Sequence, residues 1–379
     1  MMPKNLKQWI RIAGTVLLAY VISHILIYDI SSISYFKPME KSRELSITDF
    51  YQIVASRKNV KPLEGNIAIV SIDSCGRKEI AHLLDAIDFC NPAAVGLDVM
   101  FNYPSSDDSI LIKAIEDCNN LVLPCTAVFD PLSGLCTGYT GSFFYNRLSS
   151  RKSLGAVNLA GNDMQSLIRE FPPFHLCNGD TIANFATELV RIASPESYRI
   201  LKERGNDMET INFPYNEIAV YSPDEILEFS EELEGKIVLI GSIDEPWDHH
   251  ITPVTTKMPG IMIHAHAIAT MLGNIYIKEL DGWIIWLIAI LLSTAMLLIK
   301  EKIDNLKFES LIMRLIQMLM LYIIVVTGYW FYNRHLLSID FAIPLMMVGL
   351  IFMARDIWSG GESVLQTIKE KIKNKKDIS

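Results

Sequence analysis

Four apolar stretches of bilayer-crossing length constrain this chain more than any other feature. A transmembrane helix needs about 20 predominantly apolar residues. Such runs occur from about Ile10 to Tyr28, Trp283 to Ile299, Leu311 to Tyr332 and Leu336 to Ala354. The third meets Arg314 near its start, where the long side chain can reach the interface. The fourth carries Asp340 and Pro344 and is the least regular of the set. Half of the 379 residues are hydrophobic and the mean hydropathy is +0.25, a composition too apolar for an ordinary soluble protein.

The placement of positive charge predicts orientation, because Lys and Arg beside a span stay on the cytoplasmic side. Lys4, Lys7 and Arg11 precede the first run, and Asp29 follows it. Lys300, Lys302 and Lys307 separate the second run from the third, and Arg355 with the Lys369 to Lys376 cluster follows the fourth. Both termini and that loop are therefore expected in the cytoplasm, which an even number of spans satisfies. Trp9, Tyr28, Trp283, Trp330, Tyr332 and Trp358 fall at the expected interfaces. The first run has a basic start and an apolar middle, as a signal peptide does, but Ile27 to Ser31 offers no small-x-small cleavage site. It is expected to be an uncleaved anchor. The expected division is 1–29 as N-terminus and first span, 30–280 as an extracytoplasmic domain, 281–355 as three spans, and 356–379 as a basic tail.

The net charge of −9 identifies no partner, and outside the tail no basic run is large enough for nucleic acid. The tail sequence KEKIKNKK is read as an electrostatic contact with anionic membrane lipid. All six cysteines, Cys75, Cys90, Cys118, Cys125, Cys136 and Cys177, fall in the exported segment. In an oxidising compartment they permit up to three disulfides in any of about fifteen full pairings. Cys90 and Cys118 sit at the ends of apparent helices, where a buried apolar thiol is the alternative.

The exported segment alternates strand and helix. IAIVSID (67–73) is a β-rich apolar run, and KEIAHLLDAIDF (78–89) sets Ile80, Leu83, Leu84 and Ile87 on one helical face. AAVGLDVMF (93–101), SILIKAIEDC (109–118) and NLVLPCTAV (120–128) repeat the rhythm. Strands apolar throughout, rather than alternating, predict an α/β fold with a largely parallel sheet covered by helices. The Gly- and Pro-rich region 130–180 is expected as a loop-rich excursion, followed by helices over 181–193 and from Ser194 onward. KIVLIG (236–241) is a further buried strand.

Ligands of open α/β sheets usually bind beyond the carboxyl ends of the strands. Asp73 and Asp98 end two of these strands, and Asp244 and Asp248 extend beyond a third. Capping of helix N-termini is the plainer role for each. The stretch DHHITPVTTKMPGIMIHAHA (248–267) holds four of the eight histidines. From Pro259 its pattern is helical, so His264 and His266 point about 200° apart and cannot share a metal. His264 lies on the apolar face and reads as a core histidine, while His249 and His250 are adjacent in a polar loop. The chain has no HExxH, GxSxG or GxxxxGK[ST], so no catalytic residue, metal or cofactor is expected.

The segments ITDFYQIVA, IAIVSID and NPAAVGLDVMF with Asp107 beyond it, and above all EGKIVLIGSIDEPWDHHITPVTTKMPGIMIHAHAIATML, resemble the CHASE domain of type 2. That family comprises extracellular sensory domains of bacterial membrane receptors. The specific positions are Gly241, Asp248, Thr252-Pro253, Pro259-Gly260 and Ile263-His264-Ala265, and the resemblance spans roughly residues 40–275. It implies about three spans after the domain and then a cytoplasmic output domain such as a kinase or cyclase. The stretch after Arg355 is too short to bury a catalytic core. Gly360-Gly361-Glu362-Ser363 is read as a flexible linker rather than a cyclase signature.

The expected function is a sensor-type protein of the inner cell membrane. Its outer domain would bind a small ligand or an envelope protein, and would signal to a separate effector or within a homo-oligomer. The competing classes are a structural component of an envelope assembly and an exported metal-dependent enzyme. The candidate ligand-binding residues are Asp73, Asp98, Asp248, His250, Thr252 and His264.

Overall fold

A computed structural model describes residues 4–26, 47–56, 66–73, 75–149, 152–159, 167–213, 218–226 and 228–376. The chain forms two compact units, Gln52–Ile277 and Met1–Tyr51 with Lys278–Ser379. Among the described residues the helices include α1 (Lys4–His24), α2 (Arg77–Phe89), α3 (Asp108–Asp117), α4 (Phe185–Ala193), α5 (Pro195–Arg204), α6 (Gly260–Leu272), α7 (Gly282–Ile303), α8 (Glu309–His335) and α9 (Ala342–Lys376).

The first unit is built on one nine-stranded sheet. Its strands are β1 (Ile67–Ser71), β2 (Ala94–Leu97), β3 (Leu121–Phe129), β4 (Cys136–Gly141), β5 (Ser153–Ala156), β6 (Phe174–Cys177), β7 (Asp180–Ala183), β8 (Ala219–Tyr221) and β9 (Ile237–Gly241). The order is β8-β1-β9-β2-β3-β4-β6-β7, with β5 also on β3. All pairs from β8 through β3 are parallel, while β3 with β4 and β6 with β7 are antiparallel. The largely parallel core follows from the strand sequences, which bury both faces. Ile69 and Leu239 face a cluster with Phe185, Leu189 and Ile268 of α4 and α6. Their neighbours Val70, Val238 and Ile240 face Ile80, Leu84, Leu111 and Ile115 of α2 and α3. The period of two in a strand thus feeds two cores, one on each side of the sheet.

Glycines set the closest approaches. A Cβ on Gly155 would lie 2.5 Å from the Phe185 backbone, so α4 crosses that strand only because the position is bare. Cys136 and Cys177 are joined as a disulfide between β4 and β6, with Cα atoms 4.6 Å apart. Cys75, Cys90, Cys118 and Cys125 are free thiols, and Cys90 and Cys118 are buried at the ends of α2 and α3.

Two expectations about elements are corrected, and one is refined. The 130–180 region is turn-rich as expected, but it also carries strands. It holds β4, β5 and β6, whose short antiparallel and mixed pairings extend the sheet between Gly- and Pro-containing turns. The helix expected over 181–193 begins only at Phe185, because β7 occupies the first residues and Asn184 caps the helix, accepting from the Ala186 amide at 3.0 Å. Gly360 and Gly361 do not form a linker: they lie inside α9. The good helix formers of 362–376 carry the backbone ladder across both glycines.

In the other unit, α7, α8 and the long α9 are three helices long and apolar enough to cross a membrane. Asp340 and Pro344 fit the start of the last. The Asp340 carboxylate accepts the Ala342 amide at 2.9 Å, and Pro344 stands in the first turn, where a missing N–H is harmless. Gln317 of α8 is buried but satisfied, donating to the carbonyls of Val348 and Gly349 at 2.7 and 2.9 Å. α1 is helical over 21 residues, with Lys7, Gln8 and Arg11 in its first half, and is not among the three. The end of the first expected span, at Ile27 and Tyr28, lies outside the described residues.

Candidate functional site

Strands β1, β9 and β2 end side by side, with Ser71 opposite Gly241 and Leu97 opposite Ile240. Beyond those carboxyl ends opens a cleft of about 850 Å³. It is lined by Asp73, Asp98, Glu245, Asp248, His250 and His264, with Arg77, Phe101 and Trp247 also on its wall. Gly241 keeps the edge open for this packing, since a Cβ there would lie 2.6 Å from Ile261 of α6.

Asp73 follows β1 and is held by donors from the end of β1 and from the turn after β9. The hydroxyls of Ser71 and Ser242 donate to it, as do the amides of Ile243 at 3.0 Å and Asp244 at 3.1 Å. Burial alone pushes its carboxyl up, but the hydroxyl and amide donors outweigh it and hold Asp73 below the usual carboxylate range. It is a fixed anion.

Asp98 is the opposite case. Its amide continues the sheet, donating to the Ile240 carbonyl at 2.8 Å, which aims the side chain into the cleft. Among the described residues no donor reaches its carboxyl. Close enclosure first, and the charge of Asp248 second, push its pKa up to about 7. Some cleft-facing surface remains on the residue.

Asp248 is positioned by a two-residue antiparallel pairing, His249 opposite Pro259 and His250 opposite Met258. Its Oδ2 accepts the Gly260 amide at 3.2 Å, at the start of α6, and His250 Nε2 stands 3.5 Å from Oδ1. An anion at a helix N-terminus is favoured by the unpaired amides there. His264, one turn into α6, is buried, with its ring edge-on to Phe185 at 5.4 Å. Burial, with a smaller contribution from His250, lowers its pKa to about 4, against Asp248 and a hydrogen bond to the Val157 backbone. The ring is neutral at physiological pH.

Five of the six sequence candidates, Asp73, Asp98, Asp248, His250 and His264, therefore share one cleft. Thr252 does not line it: its hydroxyl donates to the Thr255 carbonyl at 3.0 Å and closes a turn. His249 also turns away, its Nε2 lying 3.0 Å from the Ile243 carbonyl. His264 and His266 point to different neighbours, the latter to Phe213 at 5.3 Å. His266 is buried as well, because α6 is enclosed on nearly all sides rather than amphipathic, and burial lowers its pKa to about 4. Among the described residues no group of three or more His, Cys, Asp or Glu could hold a metal ion.

Sequence reasoning missed Arg77, Glu245 and Trp247. Arg77 Nη1 donates to Asp108 at 2.6 Å, Nη2 donates to the Tyr103 carbonyl, and the guanidinium lies 5.2 Å over the Phe101 ring. Its charge is thus already engaged. Trp247 is 66% exposed at the cleft. Glu245 and Trp247 belong to the same EPWDHH loop as Asp248, and that adjacency was the available signal.

Comparison with known protein families matches residues 25–299 to the CHASE2 domain. Comparisons with curated proteins and with solved structures return no significant match. CHASE2 domains are extracellular sensory domains, a role that agrees with three membrane-length helices in the chain. The chain belongs to the CHASE2 domain family.

Proposed function

We propose that this chain is a multi-pass sensor of the inner cell membrane whose extracytoplasmic domain, about residues 30–280, binds a small cationic ligand in the carboxyl-edge cleft. In this reading α1 is the fourth span and both termini are cytoplasmic. The signal passes to a separate effector, or between copies of the chain. A ligand can drive such a change only through different affinities for two states. The segment that starts at the cleft with α6 leads in sequence to the first of the three apolar helices, so a shift of α6 is the natural carrier.

The single observation behind the ligand class is the charge of the cleft. Asp73, Asp98, Glu245 and Asp248 line it, whereas Arg77, the one Lys or Arg among its described lining residues, is engaged by Asp108. Among the described residues Asp98 has no donor, and a charged amine would supply one and favour its ionised form. The exposed Trp247 ring offers a face to the same cation. Native mass spectrometry of full-length protein from its own membranes tests this directly. A small positively charged adduct on the wild type, absent from D98N/D248N, is expected. Identical spectra for the two proteins would remove the reading.

One observation favours an assembly role instead. The β3–β4 hairpin and its neighbour β6 carry Phe129, Leu132, Leu135, Tyr139 and Leu176 as exposed large apolar side chains, with Leu132 97% exposed. Such clustering is typical of protein contact sites. A photo-crosslinker at position 132 that captures one envelope protein in cells supports this second reading, and the absence of any adduct counts against it.

A further inference from the structure

The C-terminal part of α9 carries an apolar face that nothing among the described residues covers. Ile357, Val364, Leu365, Ile368 and Ile372 are all exposed, from 47% at Ile368 to 59% at Leu365. At about 100° per residue they fall within a stripe roughly 100° wide. The polar residues Glu362, Gln366 and Glu370 lie on the other side.

The membrane span does not need this segment. From Ala342, about 20 residues at 1.5 Å each cover a hydrocarbon core of about 30 Å, which ends the crossing near Gly360 and Gly361. Interface-type contacts gather at that level. Arg355 pairs with Asp304 at 3.2 Å, and Glu362 accepts from Trp358 Nε1 at 3.1 Å and pairs with Arg11 at 3.2 Å. The two glycines serve no packing role, because a Cβ on either would meet nothing within 4 Å. What they do is weaken the helix at one place, just outside the bilayer core.

Charge decides what covers the stripe. Lys369, Lys371, Lys373, Lys375 and Lys376 share the sequence of its far end, with Glu370 the one acidic residue in KEKIKNKK. A second copy packed in parallel would set these lysines against one another. An anionic bilayer surface would pair with them while taking up the apolar residues. We infer that α9 bends at Gly360-Gly361 and lays residues 362–376 on the anionic lipid surface of its own membrane, with the isoleucine-rich stripe inserted below the headgroups.

The test uses the full chain in nanodiscs of phosphatidylcholine with and without phosphatidylglycerol. A nitroxide is placed at Ile368→Cys in a Cys75→Ser background, the other free thiols being buried. With phosphatidylglycerol the label is expected to be more accessible to oxygen than to a water-soluble nickel chelate, and the order reverses without it. Replacing the five lysines with Gln abolishes that dependence. G360A/G361A, which fills open space and stiffens the helix, keeps the label in water in both lipids. A label equally wet in both compositions overturns the proposal, as does burial that ignores lipid charge or survives G360A/G361A. Strong spin–spin coupling between copies, in either lipid, assigns the stripe to a second copy and also overturns it.

Discussion

Asp248 and Gly260 are matched to each other: the carboxylate accepts the Gly260 amide at 3.2 Å, and a Cβ on that glycine would lie 2.8 Å from Oδ1. The cap on α6 therefore requires both the acid and the bare backbone. Gly260→Ala is expected to displace the carboxylate and lower the stability of the full-length protein by about 1–2 kcal/mol, the usual worth of a lost cap. Asp248→Ala loses the same bond. The double variant should be little worse than either single one, since both remove one interaction. Melting midpoints of the three variants measure this, and strict additivity would show that the two residues act independently.

Asp98 makes stability depend on pH in an unusual sense. Its folded pKa of about 7 stands above the ordinary value of 3.8, so between those limits the folded state holds a proton that the unfolded state has lost. Stability falls as pH rises through that window. His264 and His266, lowered to about 4 by burial, act oppositely and destabilise the fold as pH drops from about 6.5 towards 4. Asp98→Asn is therefore expected to be more stable than wild type at pH 8, on the order of 2 kcal/mol, and to lose stability more steeply in acid. Parallel pH curves for the two proteins would mean that the Asp98 carboxyl titrates normally.

The Cys136–Cys177 bridge closes a separation of 41 residues. Cross-links of that length restrict the unfolded chain by about 2–4 kcal/mol. The Cys136→Ser/Cys177→Ser variant should melt lower by a corresponding amount, while Cys75→Ser, which lies outside the bridge, should leave the midpoint unchanged. Non-reducing mass mapping of the native protein checks the pairing itself.

The central fold was legible because its signals are local. Ile80, Leu83, Leu84 and Ile87 share a helical face that the sheet buries, and IAIV and IVLIG are apolar at every position because helices cover both sides. The edge of the sheet was less legible. β4 to β7 are short, rich in polar and small residues, and are held by pairing partners distant in sequence. The Gly360-Gly361 pair misled for a related reason, since propensity at two positions is outweighed by the helix on either side. In the cleft, acids at strand ends could be placed by topology. Arg77 could not be placed, because its position depends on Asp108 and Phe101, which lie in separate loops and helices. Thr252 belongs to the recognisable loop, but its bond to Thr255 gives it a turn-forming role.

The charge of the cleft is best tested by isothermal titration of full-length protein in nanodiscs with a matched pair of probes, 1,4-diaminobutane and succinate. Binding of the diamine, no binding of the dicarboxylate, and at least a tenfold loss for the diamine in D98N/D248N is the expected result. Preference for succinate, or diamine binding that D98N/D248N leaves intact, would contradict a cation site at the carboxyl edge of the sheet.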